Sequence, residues 1–269
     1  AAGEFDAVEM LGAAFPLSVF PDAMGIGKNG RENLLLYSDM IFNAFGPRNE
    51  IFQESTARAG PVVDWLLAQC SREGLASEGW GAEVYALADE AGLNEEAAGF
   101  IVRALLTAGL DTTVNAIGSS IVAFARHPAE WDKLVADPKR AARIIDEIIR
   151  WRTPIQHFFR TTSQATQLGG VDLPKDAKII LTYGGANHDP RQWDAPERFD
   201  LDRRVVDHLG LGHGTHRCVG QMVARLEIEL LFTALANRVA RFELTAEPAE
   251  AINNTLMGYK SVPVRAIAL

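Results

Sequence analysis

Gly212-His213-Gly214-Thr215-His216-Arg217-Cys218-Val219-Gly220 places three glycines, two histidines and one cysteine in nine positions. A long helical pattern, Gln221 to Val239, follows at once. Glycine tolerates backbone angles other residues avoid and lets the chain approach a ligand closely. A cysteine at the mouth of a helix meets free amide N–H groups and the positive end of the dipole. That setting favours the thiolate, the metal-binding form of the side chain. Two other readings are open on this stretch alone: a small buried hydrophobe, or a zinc ligand shared with His208, His213 and His216.

Ala108-Gly109-Leu110-Asp111-Thr112-Thr113 forms a second unusual stretch, inside the longest helical pattern, Asn94 to Ala125. Glycine and β-branched threonine are poor helix residues there. A threonine hydroxyl that bonds back one turn bends or opens a helix. The expectation is an opened turn, a polar notch in an apolar wall that takes a small ligand, a water and a proton; a packing Thr-Thr pair fits the same residues. Asn94 is placed to cap this helix, and Glu95 and Glu96 suit its N-terminal dipole.

Glu147 and Arg150 share a helix face within a run of isoleucines, Ile144, Ile145, Ile148 and Ile149. Charges on so apolar a helix call for burial and a third partner, and Pro196-Glu197-Arg198-Phe199 offers Arg198.

The 269 residues carry a net charge of −9, which argues against nucleic acid as a partner. Cys70 and Cys218 are too few for a disulfide framework, so a reducing cytoplasm fits. Ala1 to Ala14 shows no signal-peptide pattern. Ala104 to Ala125 is apolar enough to suggest a membrane, but Asp111 at mid-span is costly there and a helix through a soluble core fits better. Phe15-Pro16 and Phe20-Pro21 read as extended turns. Helices are expected over 31–45, 49–70, 81–91, 94–125, 128–135 and 139–152. Strands are expected over 160–166 and 178–183, a loop over 184–202, and short strands after 242.

The spacing Gly212-x-Gly214-x-His216-x-Cys218-x-Gly220 resembles the haem-binding loop of the cytochromes P-450, with Leu211 where the family carries phenylalanine. Residues 108–113 resemble that family's oxygen groove, and Glu147, Arg150 and Arg198 its salt-bridged structural triad. A mainly α fold with small β-sheets is implied: the C-terminal two-thirds of a cytochrome P-450 domain, one domain over 1–269, N-terminally incomplete. The resemblance makes Cys218 the axial ligand of the iron in haem b (iron protoporphyrin IX). It makes Arg160 and His216 propionate partners, with Ala108, Gly109, Leu211, Gly212 and Gly220 also against the haem. Thr112 holds iron-bound oxygen, Asp111 relays protons, and Ala108 and Gly109 leave room for O2.

Phe15 to Gly25, Asn43 to Gly46, Phe158 to Thr162 and Asn253 to Leu256 resemble bacterial members that oxidise para-substituted benzoic acids. There Ala104 and Thr107 replace serines. A small aromatic carboxylate is the implied substrate, bound by Phe42, Phe45, Ala104, Thr107, Ala108, Phe158 and Leu256. Electrons are implied from an iron-sulfur ferredoxin and its NAD(P)H-dependent reductase, docking near Arg217 and Arg225. A haem-thiolate sensor and a non-catalytic haem-binding fragment are the alternatives.

Overall fold

Asn94 accepts a hydrogen bond from the Ala97 N–H at 2.9 Å, and the helix it caps runs unbroken to Arg126. The other elements of the computed structural model, which describes residues 3–269, are laid around that helix. In chain order, strand β1 (Glu4–Asp6) leads through a π-helical turn (Val8–Ala13) into α1 (Ala14–Met24) and α2 (Asn33–Ala44). Then come α3 (Glu50–Ala59), α4 (Val63–Gln69), α5 (Trp80–Glu90) and the long helix α6 (Glu95–Arg126). After α7 (Pro128–Ala136) and α8 (Ala141–Trp151) the chain turns to short strands: β2 (His157–Thr161), β3 (Thr166–Leu168), β4 (Val171–Leu173) and β5 (Lys178–Thr182). Helix α9 (Tyr183–Asn187) precedes a long irregular segment and α10 (Gln221–Ala236). Strands β6 (Val239–Leu244), β7 (Ala249–Glu250), β8 (Tyr259–Ser261) and β9 (Pro263–Ala268) close the fold. The mainly α architecture with small sheets is the one expected.

Helix α6 serves two cores. Its first half packs Val102, Leu106 and Leu110 against Phe20, Met24, Leu34 and Tyr85. Its second half packs Ile117, Ile121 and Phe124 against α7, α8 and α10. Phe124 sits 5.0 Å from the Trp131 ring and 5.6 Å from Phe199 and from Phe232, a tight aromatic knot. Length and composition alone would let α6 cross a membrane. Its residues take part in both hydrophobic cores, Val102, Leu106 and Leu110 in one and Ile117, Ile121 and Phe124 in the other, which marks it as a core helix instead. The three-stranded sheet β1-β9-β6 is antiparallel, with Phe5 opposite Val264, and ties both chain ends together. β2 pairs with β5, Phe158 opposite Leu181.

Three local expectations are corrected. The Phe-Pro pairs lie inside α1 rather than in turns. Pro21 has no N–H for the Leu17 carbonyl one turn back. Arg31 supplies the missing donor: its Nη1 reaches Leu17 O at 3.3 Å and Ser18 O at 3.2 Å, while Nη2 pairs with Asp22 at 2.5 Å. The helix expected over 49–70 breaks at Gly60-Pro61 into α3 and α4. The loop expected from 184 begins instead with α9, stitched to the turn after α8 by Asn187 Nδ2 on Thr153 Oγ1 at 2.8 Å.

Glu147 and Arg150 are buried as expected, joined by two hydrogen bonds of 2.7 and 2.9 Å. Arg150 also donates to the carbonyls of Asn187, Pro196 and Arg198. The third side chain of the triad is Arg203, not Arg198. Arg203 Nε approaches Glu147 Oε1 at 3.3 Å and is almost wholly buried. Arg198 lends only its carbonyl; its guanidinium turns to solvent and pairs with Asp200 at 2.6 Å, two residues away. The Asp200 N–H fills another position on Glu147 Oε1 at 2.9 Å, so the tight turn itself excludes Arg198.

Removing one partner of a buried ion pair leaves an uncompensated charge. Arg150→Met is expected to lower unfolding free energy by about 3–5 kcal/mol in urea titration. Arg203→Ala should cost about 1–3 kcal/mol, and Arg198→Ala no more than about 0.5 kcal/mol. Glu227 on α10 is buried, with Oε1 lacking a partner, and burial pushes its carboxyl up to about 7. A raised folded value means that its stabilising proton is fully present below the ordinary glutamate range and is lost as pH rises through about 7. Glu227→Gln should therefore flatten the fall in urea midpoint between pH 5 and pH 8.

Candidate functional site

The Cys218 loop is built from two single turns of 3₁₀ helix, Leu209–Leu211 and Gly214–His216, hinged at Gly212. Gly212 has φ of 70°, and a Cβ there would lie 2.3 Å from the His216 carbonyl oxygen, so only glycine fits. The Cys218 N–H donates to Leu211 O at 2.7 Å and closes the loop on itself. Leu211 packs against the main core, anchoring the loop from below. The half-buried thiol is pushed up by burial, against an opposing Gly220 N–H on the sulfur. The helix mouth alone therefore does not make a thiolate; desolvation outweighs the amide. The sequence expectation of a thiolate favoured by the helix mouth is not met by the protein groups around the sulfur.

Zinc is ruled out by placement. His208 is turned away to Asp146, with Nε2 at 3.1 Å from Oδ1. Among the described residues no three His, Cys, Asp or Glu side chains are grouped to hold a metal. Arg225 is likewise committed to Asp146, at 2.6 and 2.7 Å, and is not the free docking cation expected; Arg217 is exposed.

On α6, Ala104 and Ala108 are exposed and Thr112 is half-buried, one turn apart along an open stripe. The opened turn expected here is absent. Thr112 Oγ1 donates to Ala108 O at 2.9 Å and Thr113 Oγ1 to Gly109 O at 3.1 Å, within a continuous helix. Gly109 is corrected as well: the place of its missing Cβ lies 2.6 Å from the Phe20 ring. A residue 100° round the helix from Ala108 faces α1, so Gly109 permits close helix packing rather than ligand entry. Thr107 is buried beneath α2, its carbonyl accepting from Ser38 Oγ at 2.8 Å.

Asp111 is half-buried in accessible area, yet its carboxyl is raised to about 7. Burial is the main cause and the nearby Asp39 adds to it, while a Ser38 hydrogen bond opposes them. The dense protein shell around the carboxyl sets this value more than its solvent-facing edge does.

Phe42, Phe45 and Phe158 converge, with ring centroids 6.2 and 5.3 Å apart in edge-on contacts. Leu256 is buried and bridged to Ile155 ahead of β2. Its loop is latched to α2: the Asn254 N–H donates to Asn43 Oδ1 at 2.8 Å, and Asn253 Nδ2 to Asp39 Oδ1 at 2.9 Å. Reading the sequence singled out these asparagines only as matching text; their partners lie too far along the chain for spacing to reveal. Arg160 lines a cavity of about 380 Å³ with Thr182, Tyr183, Leu209 and His213. His213, rather than His216, is the loop histidine on that wall; His216 is exposed at the loop tip.

The cytochrome P450 family model matches residues 85–265. CYP199A2 of Rhodopseudomonas palustris is 45% identical over 263 residues, 98% of this chain and 64% of that protein. A steroid C26-monooxygenase of Rhodococcus jostii is 31% identical, over 97% of this chain and 55% of its own length. The chain thus spans less than two-thirds of either curated relative. The crystal structure of Mycobacterium smegmatis CYP164A2 with econazole bound superposes with a TM-score of 0.86 at 29% identity, covering 97% of this chain and 68% of that one. With the glycine-hinged Cys218 loop and the Asp111-Thr112 turn in place, these matches show that the chain belongs to the cytochrome P450 family.

Proposed function

We propose that this chain is the haem-binding and oxygen-handling part of a monooxygenase that inserts one atom of O2 into a C–H bond of a small aromatic carboxylate. The observation that carries the reading is Cys218: a half-buried sulfur in a glycine-hinged loop, with the Gly220 N–H on it and, among the described residues, no group of three metal-binding side chains around it. Members of the family bind haem b, and the donors here suit it. One soft sulfur matches an axial position. Arg160, His213 and His216 form no ion pair with a carboxylate among the described residues, so they are free to meet propionates. Haem, when bound, supplies an iron centre whose thiolate ligation favours O–O cleavage.

The chain's own residues have separate tasks. Asp111, poised near 7, gives and regains a proton at neutral pH. The Thr112 hydroxyl, now spent on Ala108 O, turns toward the open stripe to hold a small oxygen ligand. Ala108 and Ala104 keep that stripe shallow, with Leu211, Gly212 and Gly220 framing the sulfur. The edge-on phenyl groups of Phe42, Phe45 and Phe158, with Leu256, sandwich a flat ring. Thr107 contributes from beneath α2 through its backbone. Hydroxylation or oxidative O-demethylation of para-substituted benzoates is the reaction this suits, in one domain over 1–269 working in the cytoplasm. An iron-sulfur ferredoxin and its NAD(P)H-dependent reductase would supply electrons, docking at Arg217. Neither nucleic acid nor a membrane has a part in this scheme.

With haem, a ferredoxin, its reductase and NADH, 4-methoxybenzoate should shift the haem to high spin and yield formaldehyde. Asp111→Asn should keep the spin shift and lower formaldehyde release about 100-fold or more. No spin shift with any para-substituted benzoate, or an Asp111→Asn rate equal to the parent, would contradict the proposal.

A further inference from the structure

One carboxylate reaches both ends of the Cys218 loop. Asp146 on α8 takes the Arg225 guanidinium in a two-pronged bond of 2.6 and 2.7 Å, just inside α10. The same side chain accepts from His208 Nε2 at 3.1 Å, just before the loop's first turn. A carboxylate only accepts, so Nε2 carries the imidazole proton. His208 is nearly buried and its Nδ1 has no partner, so the ring is fixed by this bond alone. Between those anchors the loop is closed by Cys218 N–H on Leu211 O, and Leu209 N–H is held by Asn187 Oδ1 at 2.8 Å. Asp146 and Arg225 are each about three-quarters buried, where a bidentate pair is screened less than at the surface. Burial opposes ionisation of Asp146, and His208 and Arg225 overcome it, so the carboxylate stays charged.

We propose that Asp146 is a positioning residue: with His208 and Arg225 it clamps the entry and exit of the ligand loop and so fixes where the Cys218 sulfur sits. The inference rests on the reading of Cys218 as the axial ligand. It goes beyond that reading by assigning the sulfur's placement to a side chain outside the loop. The neighbouring Glu147 pairs with Arg203, upstream of the loop, and does not touch either clamp donor. Loss of Asp146 would free both ends at once and leave the Arg225 charge unpaired. Loss of either donor would free one end.

Two readouts decide it. In the haem-free protein, alkylation of Cys218 by iodoacetamide is followed by peptide mass mapping, which separates it from buried Cys70. Asp146→Asn should speed alkylation about tenfold, as expected when a protected segment opens locally. Asp146→Glu should restore most of the protection. His208→Gln and Arg225→Gln should each give a smaller increase. In the haem-loaded, reduced and carbon monoxide-treated protein, Asp146→Asn should convert part of the thiolate-type band to the thiol type. If Asp146→Asn fails to fold, the single-donor variants carry the test through the same two readouts. Parent-like alkylation and parent-like spectra in the folded variants would overturn the clamp. A parent protein without any haem-thiolate band would overturn the function proposed above, while the alkylation ratios would still decide whether the loop is clamped.

Discussion

Two charges buried among the isoleucines of α8 set the terms for the rest of this structure. Glu147 and Arg150 are stripped of water on α8, so every lone pair and N–H they carry must find a protein partner. The chain from Asn187 to Arg203 wraps α8 to supply them: three carbonyls for Arg150, and the Asp200 N–H and Arg203 for Glu147. That wrapping delivers the next residues, Leu209 to Cys218, to the base of α10. The position of the sulfur is thus a consequence of satisfying a buried pair one helix away.

The fold shifts the two groups that matter most for chemistry in the same direction, toward their protonated forms. Burial raises the Cys218 thiol and the Asp111 carboxyl alike. For Asp111 this means an acid whose proton is available near neutrality, with Asp39 rather than a basic side chain as its charged neighbour. A basic partner would have held Asp111 ionised and taken that proton away.

Much of this was legible in the residues. The glycine-hinged turn from Gly212 to Gly220, the long helix through Ala108 and the isoleucine-rich helix around Glu147 were each legible, because short-range spacing encodes a helix face or a tight turn; the opened notch expected at Ala108 was not there. What escaped was set by contacts distant in sequence. Arg203 displaced Arg198 because a local turn gave Arg198 to Asp200. Pro21 sits within a helix because Arg31 replaces its missing donor. Gly109 serves α1 packing, a matter of which side of α6 the neighbouring helix occupies. Asp146 meets His208 and Arg225, partners 62 and 79 residues away, beyond the reach of sequence spacing.

The reduced, carbon monoxide-treated absorption spectrum of the haem-loaded protein tests the central claim most directly, taken for the parent and for Cys218→His side by side. Ligation by Cys218 predicts the red-shifted Soret band of a haem-thiolate in the parent and its replacement by the band of an imidazole-ligated haem in the variant. The same spectrum from both proteins, or an imidazole-type band from the parent, would contradict it.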